Sequence, residues 1–377
     1  MANFDFDVAV VGGGVVGLAV LHKCARKGLA VVLLERHPAV GRETSSRNSE
    51  VIHGGMYYAP GSLKARLSVA GRRQFYRFAA EHGIPHARCG KIIVAVTGEE
   101  VAGLEAILAT GRLNDVEDLR LLRAREVAAM APGVKAAAGL YSPATGVASA
   151  HAFMDALARI SQEDGGLLVC GATVNSLEPV PGGWEVGCRD ADGQSVFRCR
   201  AVVNAAGLGA QKVMAMAGLD PVSADLKLYP CKGSYFSVGG ASRAKIRSLV
   251  YPAPEPNLTG LGIHTIVDFA GGVKLGPDTR YVDEAEQYHY AVDASLAPLF
   301  HERAVRYLPF LRPEDIQPDM SGIRPKLSGP GQPPRDFHIA DETERGLPNF
   351  INLAGIESPG LTASLAIADM VCGMVSG

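Results

Sequence analysis

Gly12-Gly13-Gly14-Val15-Val16-Gly17 sets three glycines at GxGxxG spacing, straight after the apolar run Asp7-Val8-Ala9-Val10-Val11. The apolar-periodic stretch that follows reads as a helix from Val15 to about Lys27. This arrangement suits the grip on a dinucleotide. Gly12 permits a tight turn, Gly14 lets backbone approach a pyrophosphate, and Gly17 lets helix and strand pack closely. Unpaired N–H groups where the helix opens, around Val15 and Val16, offer partial positive charge to the phosphates. A second apolar run, Ala30 to Leu34, ends on Glu35, eighteen positions after Gly17. A carboxylate there, with Arg36 beside it, would accept hydrogen bonds from ribose hydroxyls.

The residues after Glu35 separate the two common dinucleotides. A nicotinamide enzyme would continue with another strand–helix unit. Here Thr44-Ser45-Ser46-Arg47-Asn48-Ser49 crowds hydroxyls and an amide into one segment. Such groups can lie under a phosphate chain and a flavin ring while donating hydrogen bonds. A polar surface loop is the plain alternative, but Val51-Ile52-His53-Gly54-Gly55-Met56-Tyr57-Tyr58 follows at once and reads as buried. FAD is the expected cofactor.

Three further places could carry chemistry. Gly355 ends a strand, and Ser358-Pro359-Gly360 opens a helix, with Ser358 as N-cap and Pro359 as first helical residue. Its N-terminus would stabilise negative charge on a reduced flavin, although a merely well-capped helix would look the same. Arg324, in Gly322-Ile323-Arg324-Pro325, is a long cation in an apolar setting and needs a partner. That partner is either a core carboxylate or the carboxylate of a substrate, held by the planar fork. Among ten histidines, His53 and His264 stand in such settings, and a neutral imidazole is a suitable proton acceptor near working pH.

Taken together, these segments resemble the L-2-hydroxyglutarate dehydrogenases and oxidases, within the wider group of FAD-dependent D-amino-acid-oxidase-like enzymes. The likeness rests on the glycine-rich start, on Ser45-Ser46-Arg47-Asn48-Ser49-Glu50-Val51-Ile52-His53-Gly54-Gly55 and on Pro60-Gly61-Ser62-Leu63-Lys64-Ala65. It recurs at Val203-Asn204-Ala205-Ala206-Gly207, Gly262-Ile263-His264, Gly322-Ile323-Arg324-Pro325 and Ser358-Pro359-Gly360-Leu361-Thr362, and so spans nearly the whole chain. It implies an α/β protein: a Rossmann-type, GR2-like FAD-binding domain with an α+β substrate domain built on a mixed or antiparallel sheet. It also implies that Val174, Ala205, Gly207, Gly322 and Gly355 join the cofactor-binding set, that Arg324 holds the substrate carboxylate and that His264 is the base. In related amine-oxidising flavoproteins a histidine placed like His53 is attached covalently to FAD, which implies that His53 meets the ring edge. Tyr57, Tyr58 and Lys232 are expected to line the anionic substrate pocket. The chain departs from the family at Glu43, where a glutamine is usual, and at Cys231-Lys232-Gly233, where an arginine–glycine pair is usual. It is also rather short.

These residues need two domains to bring them together, and 377 residues suffice for two. The cofactor domain is expected from segments 1–84, 145–225 and 321–377, the substrate domain from 85–144 and 226–320. A helix from about Ser62 to Glu81 carries an apolar stripe, Lys91 to Val96 reads as a strand, and the pattern from Leu226 onward reads as antiparallel. Junctions of this kind favour small-molecule sites.

A net charge of −2 argues against nucleic-acid binding. Seven scattered cysteines without a CxxC pair imply reduced thiols and no metal site. Val8 to Leu21 is apolar but lacks the basic flank and cleavage pattern of a signal peptide, and no run approaches membrane-spanning length. The expected location is the cytoplasm. The basic residues Lys64, Arg66, Arg72, Arg73 and Arg77 offer a peripheral contact with the inner face of a membrane. Gly207-Leu208-Gly209 lacks the third glycine of a second nucleotide loop, which leaves a quinone, an electron-transfer protein or oxygen as electron acceptor. An FAD-dependent amine or amino-acid oxidase of the same fold is the alternative enzyme, and an FAD-bound assembly protein without turnover is the alternative outside enzymes.

Overall fold

Val8 to Val11 are buried on both sides of the first strand, Phe6–Val11, because that strand lies inside a sheet. Its parallel neighbours are Val31–Glu35 on one side and the second half of Gln194–Asn204 on the other. Leu167–Cys170 and Phe350–Ala354 extend the parallel sheet, and His338–Asp341 closes one edge in the antiparallel sense. Unbroken apolar runs suit strands covered on both faces. The helices Val15–Arg26, Leu63–Glu81, Ala150–Glu163 and Gly360–Met374 share one apolar core with this sheet. A meander of Thr173–Val180, Gly183–Arg189 and the first half of Gln194–Asn204 builds a second core around Trp184, whose indole donates to Pro348 O at 3.0 Å. The computed structural model describes residues 4–254, 262–269 and 271–375. The outermost limits of the expected segments, at 1–3 and 376–377, therefore lie outside the described residues.

A second layer is antiparallel around Tyr229–Val238, which pairs with Ile316–Lys326, Val273–Gly276 and Arg280–Tyr281. His264–Val267 pairs with Val273–Gly276. A third sheet centres on Lys91–Ala95, between Ala138–Ser142 and Leu249–Pro252. Thr265 ties the two sheets together: its hydroxyl donates to Ser248 O at 2.8 Å and accepts from Val250 N–H at 2.7 Å. A small sheet of Val51–Ile52, His86–Ala87 and Gly146–Ala148 lies where the chain passes between the layers.

Two expectations need correction. The segment limit at 320/321 cuts through Ile316–Lys326, which is hydrogen-bonded to Tyr229–Val238 on both sides of that point. The chain rejoins the parallel sheet only at His338. The basic face on Leu63–Glu81 is not an open cationic patch either. Lys64 and Arg72 are buried and paired with Glu357 and Glu117, and Arg73 also pairs with Glu117. Only Arg66 and Arg77 of that set stay exposed without a recorded ion pair among the described residues. No helix of the described residues is long and apolar enough to cross a membrane.

Candidate active site

A cavity of ≈ 360 Å³ is lined at one end by Gly14 and Glu35, along its length by Ser45 and Arg47, and at the other end by His53, His264 and Arg324. The glycine loop forms the first end. Gly12 has φ 111° and its missing Cβ would stand 2.7 Å from Ala205 O; a Cβ on Gly17 would stand 2.0 Å from Gly12 O. Only glycine fits either place. Glu35 is nearly buried, and its carboxylate accepts from Gly13 N–H at 2.6 Å and His37 N–H at 2.8 Å. These two bonds fix it at the strand end before any ribose arrives.

The polar segment is fastened to the glycine loop. Val15 N–H donates to Ser45 Oγ at 3.0 Å, so Ser45 satisfies one of the free amides of the helix start. Asn48 braces the segment, donating to Ser45 O at 2.7 Å and accepting from Glu50 N–H at 2.7 Å. Thr44 donates to Ile323 O at 2.9 Å, and a Cβ on Gly322 would lie 1.9 Å from Arg47 O. Segment and antiparallel sheet thus meet backbone to backbone. Arg36 reaches the cavity but pairs with Glu43 at 3.1 Å, and Glu43 also accepts from the Tyr290 hydroxyl.

His53 and His264 face the other end. His53 N–H donates to Thr362 Oγ1 at 3.0 Å, and its Nε2 lies 3.2 Å from Ser358 Oγ, leaving Nδ1 buried without a partner among the described residues. Burial, then the charge of Lys91, lowers its pKa to about 3. His264 Nδ1 lies 3.0 Å from Gly262 O. A carbonyl can only accept, so Nδ1 carries the proton and Nε2 the lone pair. That Nε2 is buried and has no hydrogen-bond partner among the described residues. Burial lowers this imidazole to about 3 as well, with smaller contributions from Lys91, His53 and Arg324 against the raising effect of Gly262. Both rings are neutral near pH 7.

Arg324 has no carboxylate partner among the described residues. Its Nη2 donates to Asp278 O at 2.9 Å and its Nε to Cys231 O at 3.3 Å. Backbone carbonyls orient the guanidinium without neutralising it. The core ion pair that the sequence left open is absent from the described residues, and the charge remains for a ligand.

The cradle fits a flavin dinucleotide. It has a close-approach glycine loop at one end, and farther along it carries buried polar atoms with no hydrogen-bond partner among the described residues, at Arg47 Nε, His53 Nδ1 and His264 Nε2. The FAD dependent oxidoreductase family model matches residues 7–374. The chain belongs to that family. The chain is 38% identical to an L-2-hydroxyglutarate dehydrogenase of Arabidopsis thaliana described as mitochondrial, over 98% of this chain and 83% of the relative. It is 28% identical to the L-2-hydroxyglutarate dehydrogenase of Indibacter alkaliphilus, over 98% of each. Its fold matches FAD-bound L-alpha-glycerophosphate oxidase from Mycoplasma pneumoniae with TM-score 0.86, at 24% identity, over 99% of this chain and 95% of that one.

For this FAD-dependent oxidoreductase, most expected cofactor residues do line the cavity, including Gly12, Gly14, Val15, Val16, Glu35, Ser45, Arg47, Asn48, Ser49, Val174, Ala205 and Gly207. So do Gly322, Gly355, Ser358, Pro359, Gly360 and Leu361. Gly17, Ser46, Gly54, Gly55 and Thr362 stand behind the wall and support it. The Ser46 hydroxyl donates to Glu43 O at 3.3 Å, and a Cβ on Gly54 would press on Met56 at 2.5 Å.

Three expectations about this end are corrected. Ser358 does not cap the last helix: the helix begins at Gly360, and the Ser358 hydroxyl faces His53 instead. Lys232 does not line the cavity, because its Nζ donates to His289 O at 2.8 Å and Ala291 O at 2.6 Å and so holds a loop. Tyr57 and Tyr58 also lie off the wall. Sequence reasoning missed Tyr235, which lines the cavity with Arg324, and the pair Lys91 and Tyr251 behind His264. The one signal available for Lys91 was a lysine leading the apolar run Ile92-Ile93-Val94-Ala95. It read as a strand flank.

Proposed function

We propose that the protein oxidises a small L-2-hydroxy acid, 2-hydroxyglutarate or a close analogue, to the 2-oxo acid. The observation that supports this reading best is the lone pair of His264 Nε2, unpartnered among the described residues, on the same cavity wall as Arg324, which has no carboxylate partner among them. A 2-hydroxy acid brings a carboxylate for the arginine and a hydroxyl proton for the histidine. Its oxidation removes a hydride from C2 and a proton from the hydroxyl, and FAD supplies the hydride acceptor at N5. Arg324 would bind the C1 carboxylate by charge-assisted hydrogen bonds. His264 would accept the hydroxyl proton at Nε2 while Gly262 O keeps the ring in the right tautomer. The anionic substrate counteracts the burial that depresses His264, so the base strengthens when the site fills. The names of the relatives support the same substrate class.

The electrons leave to an acceptor of the quinone, electron-transfer protein or oxygen class. The seven free cysteines support a reducing compartment, the cytoplasm in our reading. Anaerobic bleaching of the flavin by a panel of 2-hydroxy and 2-amino acids tests the proposal. Bleaching by L-2-hydroxyglutarate and not its D enantiomer is expected. Bleaching by amino acids alone would make the protein an amine oxidase.

A further inference from the structure

Lys91 opens the strand Lys91–Ala95 and is only 1% exposed. Its Nζ has no hydrogen-bond partner among the described residues. It lies instead over two aromatic rings, 4.2 Å from the Tyr251 centroid and 4.6 Å from that of Tyr57. A buried cation without an anion is unfavourable, and ring faces offset only part of the loss. Such a residue serves the site or weakens the fold.

Its surroundings connect it to the site. Tyr251 sits on Leu249–Pro252, the strand paired in parallel with Lys91–Ala95. The Tyr251 ring stacks on His264 with centroids 3.6 Å apart and planes 16° from parallel. Lys91 and His264 therefore lie against the same ring. Of the three, only His264 reaches the cavity.

We propose that Lys91 is a positioning residue for His264. Held against Tyr251, it fixes the ring on which the imidazole stacks and so holds Nε2 towards the cavity. The inference rests on the reading of His264 as proton acceptor. Among the described residues, the groups facing His264 are the Gly262 carbonyl, which favours its protonated form, and Lys91, His53 and Arg324, which oppose it, besides the neutral ring of Tyr251. Lys91 faces Tyr57, Tyr251 and the two histidines, with no carboxylate paired to it among the described residues. Burial draws Lys91 itself down to about 7. Its charge is therefore fullest below neutrality, where it adds to the burial that opposes protonation of His264.

Lys91→Met keeps the length of the side chain and removes the nitrogen. In the FAD-loaded enzyme, single-turnover flavin reduction should slow by about tenfold to a hundredfold, the scale of a slightly misplaced group. Without the cation His264 protonates more readily, so the acid limb of rate against pH should move to higher pH. The His264 ring resonances in a labelled holoenzyme should titrate at correspondingly higher pH, while affinity for the 2-oxo acid stays unchanged. Lys91→Arg should return the limb towards its original position. A slower rate with an unmoved limb and unmoved resonances would make Lys91 a purely structural residue. If Lys91→Met fails to fold, Tyr251→Leu removes the shared ring: slowed reduction at unchanged product affinity is expected, and a normal rate overturns the proposal. His264→Ala separates the two readings. If it leaves rate and pH dependence intact, the base itself is misassigned; if it slows reduction while Lys91→Met changes nothing, only the role of Lys91 fails.

Discussion

His53 Nε2 lies 3.2 Å from the Ser358 hydroxyl, although the residues stand 305 positions apart in the chain. A second link runs beside it, from His53 N–H to Thr362 Oγ1 at 3.0 Å. These contacts join the end of the first polar segment to the start of the last helix. Both residues line the cavity end shared with His264 and Arg324. The serine therefore orients an imidazole rather than capping a helix.

Ser358→Ala should release the His53 ring and cost on the order of 1 kcal/mol, the usual net value of one hydrogen bond. The holoenzyme should melt slightly lower and its visible flavin bands should shift, because the ring edge loses a fixed neighbour. Identical melting and spectra would mean that the contact does no positioning.

The approach of Gly322 to Arg47 makes a sharper claim. An added Cβ would start 1.9 Å from a backbone carbonyl, which cannot rotate away. Gly322→Ala should push the polar segment off the sheet, with a loss of about 1–3 kcal/mol typical of overpacking. Thermal melting and the FAD content of the purified protein measure it; full retention of both would show that the segment yields cheaply.

Arg324→Ala should leave FAD bound and weaken carboxylate binding. One charge-assisted contact contributes about 1.5–3 kcal/mol, so affinity for a 2-oxo acid should fall about tenfold or more. Titration of the flavin spectrum reads the affinity directly. Unchanged affinity would mean that the guanidinium only braces Asp278 and Cys231.

The sequence showed this site best where chemistry is local. The glycine loop, the hydroxyl-rich segment and the Gly262-Ile263-His264 motif each declare a backbone need or a side-chain role within a few residues. Arg324 was legible for a similar reason, as a cation that its own strand could not neutralise. Lys232 was not, because spacing along a strand does not say whether an ammonium meets a ligand or two loop carbonyls. The limit placed at residue 321 failed instructively. Gly322 does touch the cofactor segment at Arg47, but it stands opposite Gly233 in the antiparallel sheet. Lys91 was hidden because the rings that explain it come from a distant turn, at Tyr57, and a distant strand, at Tyr251.

A buried network beneath the parallel sheet gives a pH prediction. Glu342 accepts from Asn352 Nδ2 at 2.8 Å and pairs with His338 at 2.7 Å and with Arg345; Asn352 in turn accepts from Asn204 at 2.9 Å. Burial opposes its charge, but the bonds from His338, Asn352 and Arg345 prevail and hold it at about 2. A depressed folded-state pKa stabilises the fold above the unfolded value of 4.5 and loses that contribution as pH falls towards about 2. Denaturant melts across this window should show the loss in the wild type and a flatter profile in Glu342→Gln. Parallel profiles would assign acid sensitivity to other carboxylates.

In the proposed reaction His264 is the base. Its Nδ1 is committed to Gly262 O and its Nε2 has no partner among the described residues, so the ring can only accept a proton at Nε2. A positioned base typically contributes about 10²–10⁴-fold in rate, and His264→Ala should slow anaerobic flavin reduction by that order without altering the flavin spectrum or the affinity for a 2-oxo acid. The pH dependence carries the sign. The neutral imidazole is the active form, so wild-type reduction should fall as pH drops towards the pKa of His264 in the substrate complex. The variant should lose that limb. His53, with an unpartnered Nδ1 at the same end of the cavity, is the built-in control: a variant that keeps both rate and limb at His264 but loses them at His53 would transfer the role to the second ring.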